Sequence, residues 1–101
     1  MIERIVGIKL SKRKGKKYVA TVQSKEGRQR NIHFGARGYE QYKDSTRLRS
    51  FSSKDHNSRE RRRRYFLRHS GVPDKRSALK KEIKRSRGKY NAKILSHIYL
   101  W

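Results

Sequence analysis

The chain has 101 residues, enough for one small domain, and its 30 lysines and arginines against 8 aspartates and glutamates give a formal net charge of +22. It has no cysteine, which excludes disulfides and thiolate metal sites, and no apolar segment near the roughly 20 residues of a membrane span. Because so many cations repel one another around a thin core, we expect nucleic acid, anionic lipid or an acidic protein surface to bind the working protein.

The first 34 residues predict a three-stranded antiparallel meander. Apolar and polar residues alternate in three segments, which are separated by short links that carry charge and glycine. In the first segment the even positions from Ile2 to Leu10 supply the apolar side chains, with Ile5 as the exception. We therefore expect the even positions to form the half-buried face of that strand, and the third segment to turn Phe34 inward.

Residues 35–56 are loop-rich, with a serine-rich stretch that is typical of irregular structure. Two glycines open this region, Gly35 and Gly38, and they indicate either positive φ or a close approach of backbone to another part of the chain.

Residues 57–70 predict an arginine-rich helix, in which Asn57 is the N-cap and Glu60 completes a capping box. Gly71 ends this helix. The remaining residues, 74–101, predict a helical C-terminal part that begins with a cap at Asp74. The fold class is therefore α+β in a single small basic domain, 1–101, with two or three short helices after the meander.

Basic clusters are the main candidates for a binding site. Four successive arginines on a helix point in directions about 100° apart, so two at most can line one phosphate backbone. A second cluster lies on the first hairpin loop. Guanidinium and ammonium groups bind phosphate and carboxylate alike. The candidate polyanion- or partner-binding residues are Lys12, Arg13, Lys14, Lys16, Lys17, Arg37, Arg59, Arg61, Arg62, Arg63, Arg64 and Arg68.

The C-terminal segment is unusually apolar for this chain. On a helix Ile94, Ile98 and Trp101 share one stripe, whereas Leu100 lies partly outside it. One face should dock on the sheet and the rest on a partner, which makes Ile98, Tyr99, Leu100 and Trp101 candidate partner-docking residues. The alternative is that the segment is the last helix of an isolated core.

The residues expected of an enzyme or metal site do not occur in a recognisable pattern. The four histidines lack second ligands at metal-binding spacing, and the sequence has no phosphate-binding glycine loop or nucleophile elbow. We therefore expect no catalytic residue, no metal, no cofactor and no small-molecule substrate.

Four motifs occur in a characteristic order: Lys16–Val19, His33–Tyr42, Arg62–His69 and Ile98–Trp101. The most specific of them reads His-Phe-Gly-Ala-Arg-Gly-Tyr. This order resembles a family of small basic proteins of unassigned function from nucleocytoplasmic large DNA viruses, among them the viruses of algae and amoebae. The resemblance covers residues 16–101, and it implies a protein of the virion or, in the infected cell, of the cytoplasmic virus factory.

Two functions of different classes follow from the resemblance and the charge. The first is a minor capsid or capsid-associated protein that bridges larger capsid subunits at the capsid or its inner face, with major and minor capsid proteins as partners. The second is a nucleic-acid-binding protein that condenses viral DNA without sequence specificity, for which the net charge is direct support.

Overall fold

The computed structural model describes residues 1–101 and confirms the α+β class. An antiparallel sheet in the order β1-β2-β3 precedes three short α-helices. The elements are β1 (Glu3–Leu10), β2 (Lys16–Ser24), β3 (Gln29–Ala36), a 3-10 turn (Ser52–Lys54), α1 (Arg59–Ser70), α2 (Lys75–Arg85) and α3 (Ala92–Tyr99). The sheet extends two residues beyond the predicted boundary at residue 34. No helix has the length and apolar character needed to cross a bilayer.

The predicted alternation of β1 is wrong, because the strand contains a β-bulge. The pairing with β2 shifts between Ile5 and Gly7, which leaves Val6 as the extra residue. The extra residue reverses the side-chain alternation before the bulge, so Ile5 packs against the core, whereas Ile8 packs there as the even positions predicted. Val6 is exposed at the bulge, and Leu10 is exposed at the end of the strand although it shares the face of Ile8.

The core lies between the sheet and α3. Tyr18, Ala20 and Phe34 of the sheet are buried against Leu95 and Leu100. Helix α3 packs on β3, α2 packs on α3, and α1 packs on α2. Since α1 is the last element in this series, most of its surface remains exposed.

Helix α1 begins one residue later than its predicted cap. Ser58, not Asn57, accepts a hydrogen bond from the backbone N–H of Arg61, while Asn57 has φ 54° just outside the helix. The predicted end is confirmed, since Gly71 adopts the left-handed conformation there. The predicted cap of α2 is also confirmed, because the Asp74 carboxylate accepts from the N–H of Ser77 at 2.8 Å.

The loop between β3 and α1 is held by buried polar groups. The carboxylate of Asp44, which is 1% exposed, accepts hydrogen bonds from the Tyr18 hydroxyl, from the N–H and hydroxyl of Thr46, and from the N–H of Phe51. Burial by itself would raise the pKa of Asp44, but these donors outweigh it and hold that pKa below its usual value. The loop is therefore fixed although it has almost no regular structure.

Gly35 occupies a position that only glycine fits. Its φ is 80°, and an added Cβ would lie 2.9 Å from Cδ1 of Leu100 and 3.2 Å from Cβ of Lys17. Gly38 has neither feature, since its φ is not in the left-handed region and nothing lies within 4 Å of the Cβ position. The prediction is confirmed for Gly35 and wrong for Gly38.

Candidate functional site

A groove of about 570 Å³ runs between α1 and the end of the sheet, with α3 beneath it. We call it the cationic groove, because its lining includes cations from each of these three regions. The five that are at least partly exposed are Lys16, Arg61, Arg64, Arg68 and Lys93, while Lys17 borders the groove but is buried. The groove is open to solvent, and Tyr39, which is 73% exposed, lies on its rim.

Two stacked aromatic rings form part of the groove floor. The rings of Tyr65 and Trp101 are nearly parallel, at 3°, with centroids 4.0 Å apart. Arg62 holds this pair from behind, because its Nε donates a 2.7 Å hydrogen bond to the backbone oxygen of Trp101. Burial raises the pKa of Tyr65, so its hydroxyl stays protonated at neutral pH. The floor is thus a rigid, uncharged surface between charged walls.

The carboxylates near the groove neutralise only part of its charge. Glu40 pairs with Arg61 at 3.0 Å, and this hydrogen bond lowers the pKa of Glu40. Glu60 pairs with Arg64 at 3.1 Å on the exposed surface. Surface pairs of this kind contribute at most about 1 kcal/mol and are readily exchanged for a phosphate. Lys16 and Arg68 have no carboxylate within salt-bridge distance.

The predicted hairpin cluster lies at one end of this groove. Its residues Lys12, Arg13 and Lys14 are exposed at the β1–β2 turn, and Lys16 continues into the groove. Arg37 fixes the turn, since its guanidinium donates to the carbonyl oxygens of Lys16 at 3.2 Å and Ser11 at 3.3 Å. Two clusters that are distant in sequence therefore form one basic surface.

Two of the predicted binding residues point into the protein and are corrections to the sequence analysis. Lys17 is 1% exposed, and its Nζ donates to the carbonyl of Tyr39 and to the side-chain oxygen of Gln41. Burial lowers the pKa of Lys17 to about 8. Arg62 lies over the ring of Tyr42, 4.6 Å from its centroid, besides binding Trp101. Lys17 is therefore unavailable to a polyanion, whereas Arg62 is half-buried and bound to groups of the protein itself.

Arg59 and Arg63 lie on the other side of α1. They line a second cleft of about 560 Å³ together with Tyr42, Arg62, Phe66, Pro73, Asp74 and Lys75. The arginines of α1 therefore divide between two clefts and the interior, in agreement with their predicted spread around the helix.

The structure corrects one of the predicted partner-docking residues, Leu100. Leu100 is only 2% exposed and belongs to the core of this same chain. Tyr99 packs at 6.0 Å from the ring of Phe34, and Trp101 is half-buried by its stack on Tyr65. Ile98 is also half-buried. The apolar segment therefore helps to close the protein's own core, and Trp101 also lines the cationic groove.

A buried polar chain lies beneath α1 and superficially resembles a catalytic arrangement. The Ser70 hydroxyl donates to Glu82 at 2.8 Å and lies 2.8 Å from Nε2 of His97, whose Nδ1 is 2.9 Å from the hydroxyl of Tyr65. Burial lowers the pKa of His97 to about 4, which keeps the ring neutral. Every polar atom of the chain is satisfied internally, so its role is structural.

Lys93, Tyr39 and Tyr65 are groove residues that lie outside the predicted set. Lys93 is the only charged side chain of α3, and Tyr39 follows the second glycine of the His33–Tyr42 motif. The isolated charge of Lys93 on an apolar helix was the one signal available for it. Tyr39 gave none, because an aromatic residue in a basic chain with a thin core is more commonly buried.

Comparison with known proteins adds one family. A model of a family of unknown function, DUF5754, matches residues 6–51. The matched segment contains most of the sheet and of the following loop, and so the Lys16, Gly35 and Tyr39 side of the groove, but none of the three α-helices. Neither the curated proteins nor the solved structures gave a match.

Proposed function

We propose that this protein binds nucleic acid through its phosphate backbone, without sequence specificity, and condenses the genome of a large DNA virus. The observation that carries the proposal is the convergence of five cations from β2, α1 and α3 on one open groove. Phosphodiester backbones supply closely spaced negative charges along a line, which an elongated cationic surface fits. The viral setting rests on the resemblance of the four motifs.

The groove also suits nucleic acid better than an acidic protein. Its floor is a flat, uncharged aromatic pair, and Tyr39 stands exposed beside it. Sugar and base surfaces pack on such rings, whereas an acidic peptide has few groups to place there. No set of side chains in the groove is arranged to donate or accept in the bidentate pairs that read base edges.

A salt titration with two charge-matched variants tests the proposal. The groove variant replaces Arg61, Arg64 and Arg68 with Gln, and the control replaces Arg76, Lys84 and Arg85 of α2, which line neither cleft. With about six phosphates contacted, log K for duplex DNA should fall against log salt with a slope of roughly −5. The magnitude of this slope should be smaller by about three for the groove variant, and should change much less for the control.

The probes also separate the classes of ligand. Duplex DNA and single-stranded DNA share the backbone chemistry, so both should bind with a strong salt dependence. Poly-glutamate should bind more weakly at the same charge concentration. If poly-glutamate binds as tightly as DNA, or if the control loses as much of the slope as the groove variant, the proposal is wrong.

A second candidate, the bridging capsid-associated protein, is favoured by a different surface. Strand β1 is an edge of the sheet, and β2 is the only element that packs against it. Val6 and Leu10 are exposed along this strand, at 41% and 49%, and Ile2 just before it is 48% exposed. An uncovered apolar edge strand can add a strand from a neighbouring capsid subunit through backbone hydrogen bonds.

Recovery of variants in purified virus particles distinguishes the two candidates. Changing Val6 and Leu10 to Lys should remove the protein from particles if it bridges capsid subunits through β1. The groove variant should be the one that is lost if retention depends on DNA. A β1 variant that is packaged at the normal level would rule out docking through this edge.

A further inference from the structure

The second cleft, on the far side of α1, has no role in the proposed function. It lies opposite the cationic groove and carries its own pair of exposed arginines, Arg59 and Arg63. We propose that α1 enters the major groove of duplex DNA, with one phosphate backbone in the cationic groove and the other in the second cleft. This inference rests on the proposed function and names the form of nucleic acid that the site takes.

The arginines of α1 form two rows that are suited to two backbones. At 100° per residue, Arg61, Arg64 and Arg68 lie within about 60° of one another. Arg59 and Arg63 lie within about 40°, and the centres of the two rows are about 150° apart. A helix that contacted a single backbone would need only one such row.

The helix is exposed enough to enter a groove. Eight of its 12 residues are exposed, and the buried side is confined to Phe66, Ser70 and the half-buried residues beside them. The main neighbouring element along its length is α2. An α-helix with side chains is about 10–12 Å across, which matches the major groove of B-form DNA at about 12 Å.

The residues between the two rows complete the argument. Glu60, whose side chain is 79% exposed, and Leu67 lie there, so they would face the base edges. Neither offers the paired donors that recognise guanine or adenine, and the Glu60 carboxylate, the group that could accept from cytosine, is paired with Arg64 at 3.1 Å. The helix would thus act as a wedge between two backbones and would not read the bases.

Three duplexes of one sequence and about 20 base pairs test the placement: plain DNA, DNA with 5-glucosyloxymethylcytosine, and RNA. The sugar fills the major groove without altering the phosphates, and the RNA major groove is too narrow and deep for a helix. The intact chain should bind plain DNA roughly tenfold or more tightly than either of the others. Fluorescence anisotropy at several salt concentrations gives the affinity and slope for each duplex.

Row variants sharpen the test. Replacing Arg59 and Arg63 with Gln should lower the salt slope on plain DNA by about two, although neither residue lines the cationic groove. A pair of changes on α2, Arg76→Gln and Arg85→Gln, is the matched control. Circular dichroism establishes that every variant is folded.

The outcomes separate this inference from the proposed function. Salt-dependent binding that is equal for all three duplexes overturns major-groove entry and leaves backbone binding intact. A complex of one protein with two duplexes, in which the two rows bind separate molecules, also overturns it. Absence of salt-dependent binding to every duplex overturns the proposed function itself.

Discussion

The loop at 37–56 and helix α1 are both rich in polar side chains, but the loop buries several of them whereas the helix exposes most of its own. In the loop, Gln41, Asp44 and Thr46 are buried, and each is hydrogen-bonded. In α1 most polar groups are exposed, apart from Arg62 and Ser70, and the ion pairs of Arg61 and Arg64 lie on the surface. The loop thus uses polar groups to fix the fold, whereas the helix keeps them available for a ligand.

This contrast shows that net charge by itself does not locate a binding surface. Cations that are adjacent in sequence differ in their surroundings. Lys16 lines the cationic groove while Lys17 is buried, and Arg61 lines the groove while Arg62 holds Trp101. Each cation is used either for stability or for binding. We therefore expect mutations of buried polar groups to lower the free energy of unfolding, and mutations of exposed cations to weaken binding.

The largest effect is expected at Asp44. The change Asp44→Ala removes the acceptor for three buried donor residues, Tyr18, Thr46 and Phe51. Unpartnered buried donors cost about 1–3 kcal/mol each, so the free energy of unfolding should fall by at least about 3 kcal/mol. Urea denaturation measures the loss, and Asp74→Ala, at an exposed cap, is the control with a cost of about 1 kcal/mol. Equal losses would contradict the buried network.

The next effect concerns the free energy of unfolding at acidic pH. The pKa of His97 is about 4 in the folded protein and about 6.5 when unfolded, so the unfolded state binds the proton more readily. Stability should therefore be lost as pH falls from about 6.5 towards 4, by about 3 kcal/mol in total. Urea midpoints measured across that range should show this slope for the wild type. A His97→Gln variant that retains the full slope would show that another group is responsible.

A smaller effect separates neighbouring arginines. Arg62→Gln loses the bond to Trp101 and the contact with Tyr42, and should cost about 1–2 kcal/mol without changing the salt slope of DNA binding. Arg61→Gln should do the reverse, with a slope smaller by about 0.9 and stability within about 0.5 kcal/mol of wild type. If both variants change the same measurement, the division between structural and binding cations fails.

The smallest effect is expected at the junction of the two regions. Ser58→Ala removes the N-cap of α1 and should cost about 1 kcal/mol in thermal or urea unfolding. Asn57→Gly should cost nothing or add slightly to stability, because glycine accepts the φ of 54° more readily. A larger loss at Asn57 than at Ser58 would restore the cap that the sequence predicted.

Local patterns in the sequence were sufficient for the order and type of the elements. Alternating apolar residues predicted the meander, and Gly71 and Asp74 marked where α1 ends and α2 begins. These features depend on interactions between residues a few positions apart, and such interactions are visible in the sequence. The hundred-degree rotation between successive arginines likewise predicted that no single surface could use all four.

Which cations remain exposed, and where they lie close together, depends on the tertiary structure. The cationic groove joins Lys16, Arg64 and Lys93, which come from three elements far apart in the chain. The bulge at Val6 turned Ile5 towards the core, and Leu100 of the predicted docking segment became part of that core. Burial depends on contacts between distant segments, so a residue's type and its neighbours in sequence do not determine it.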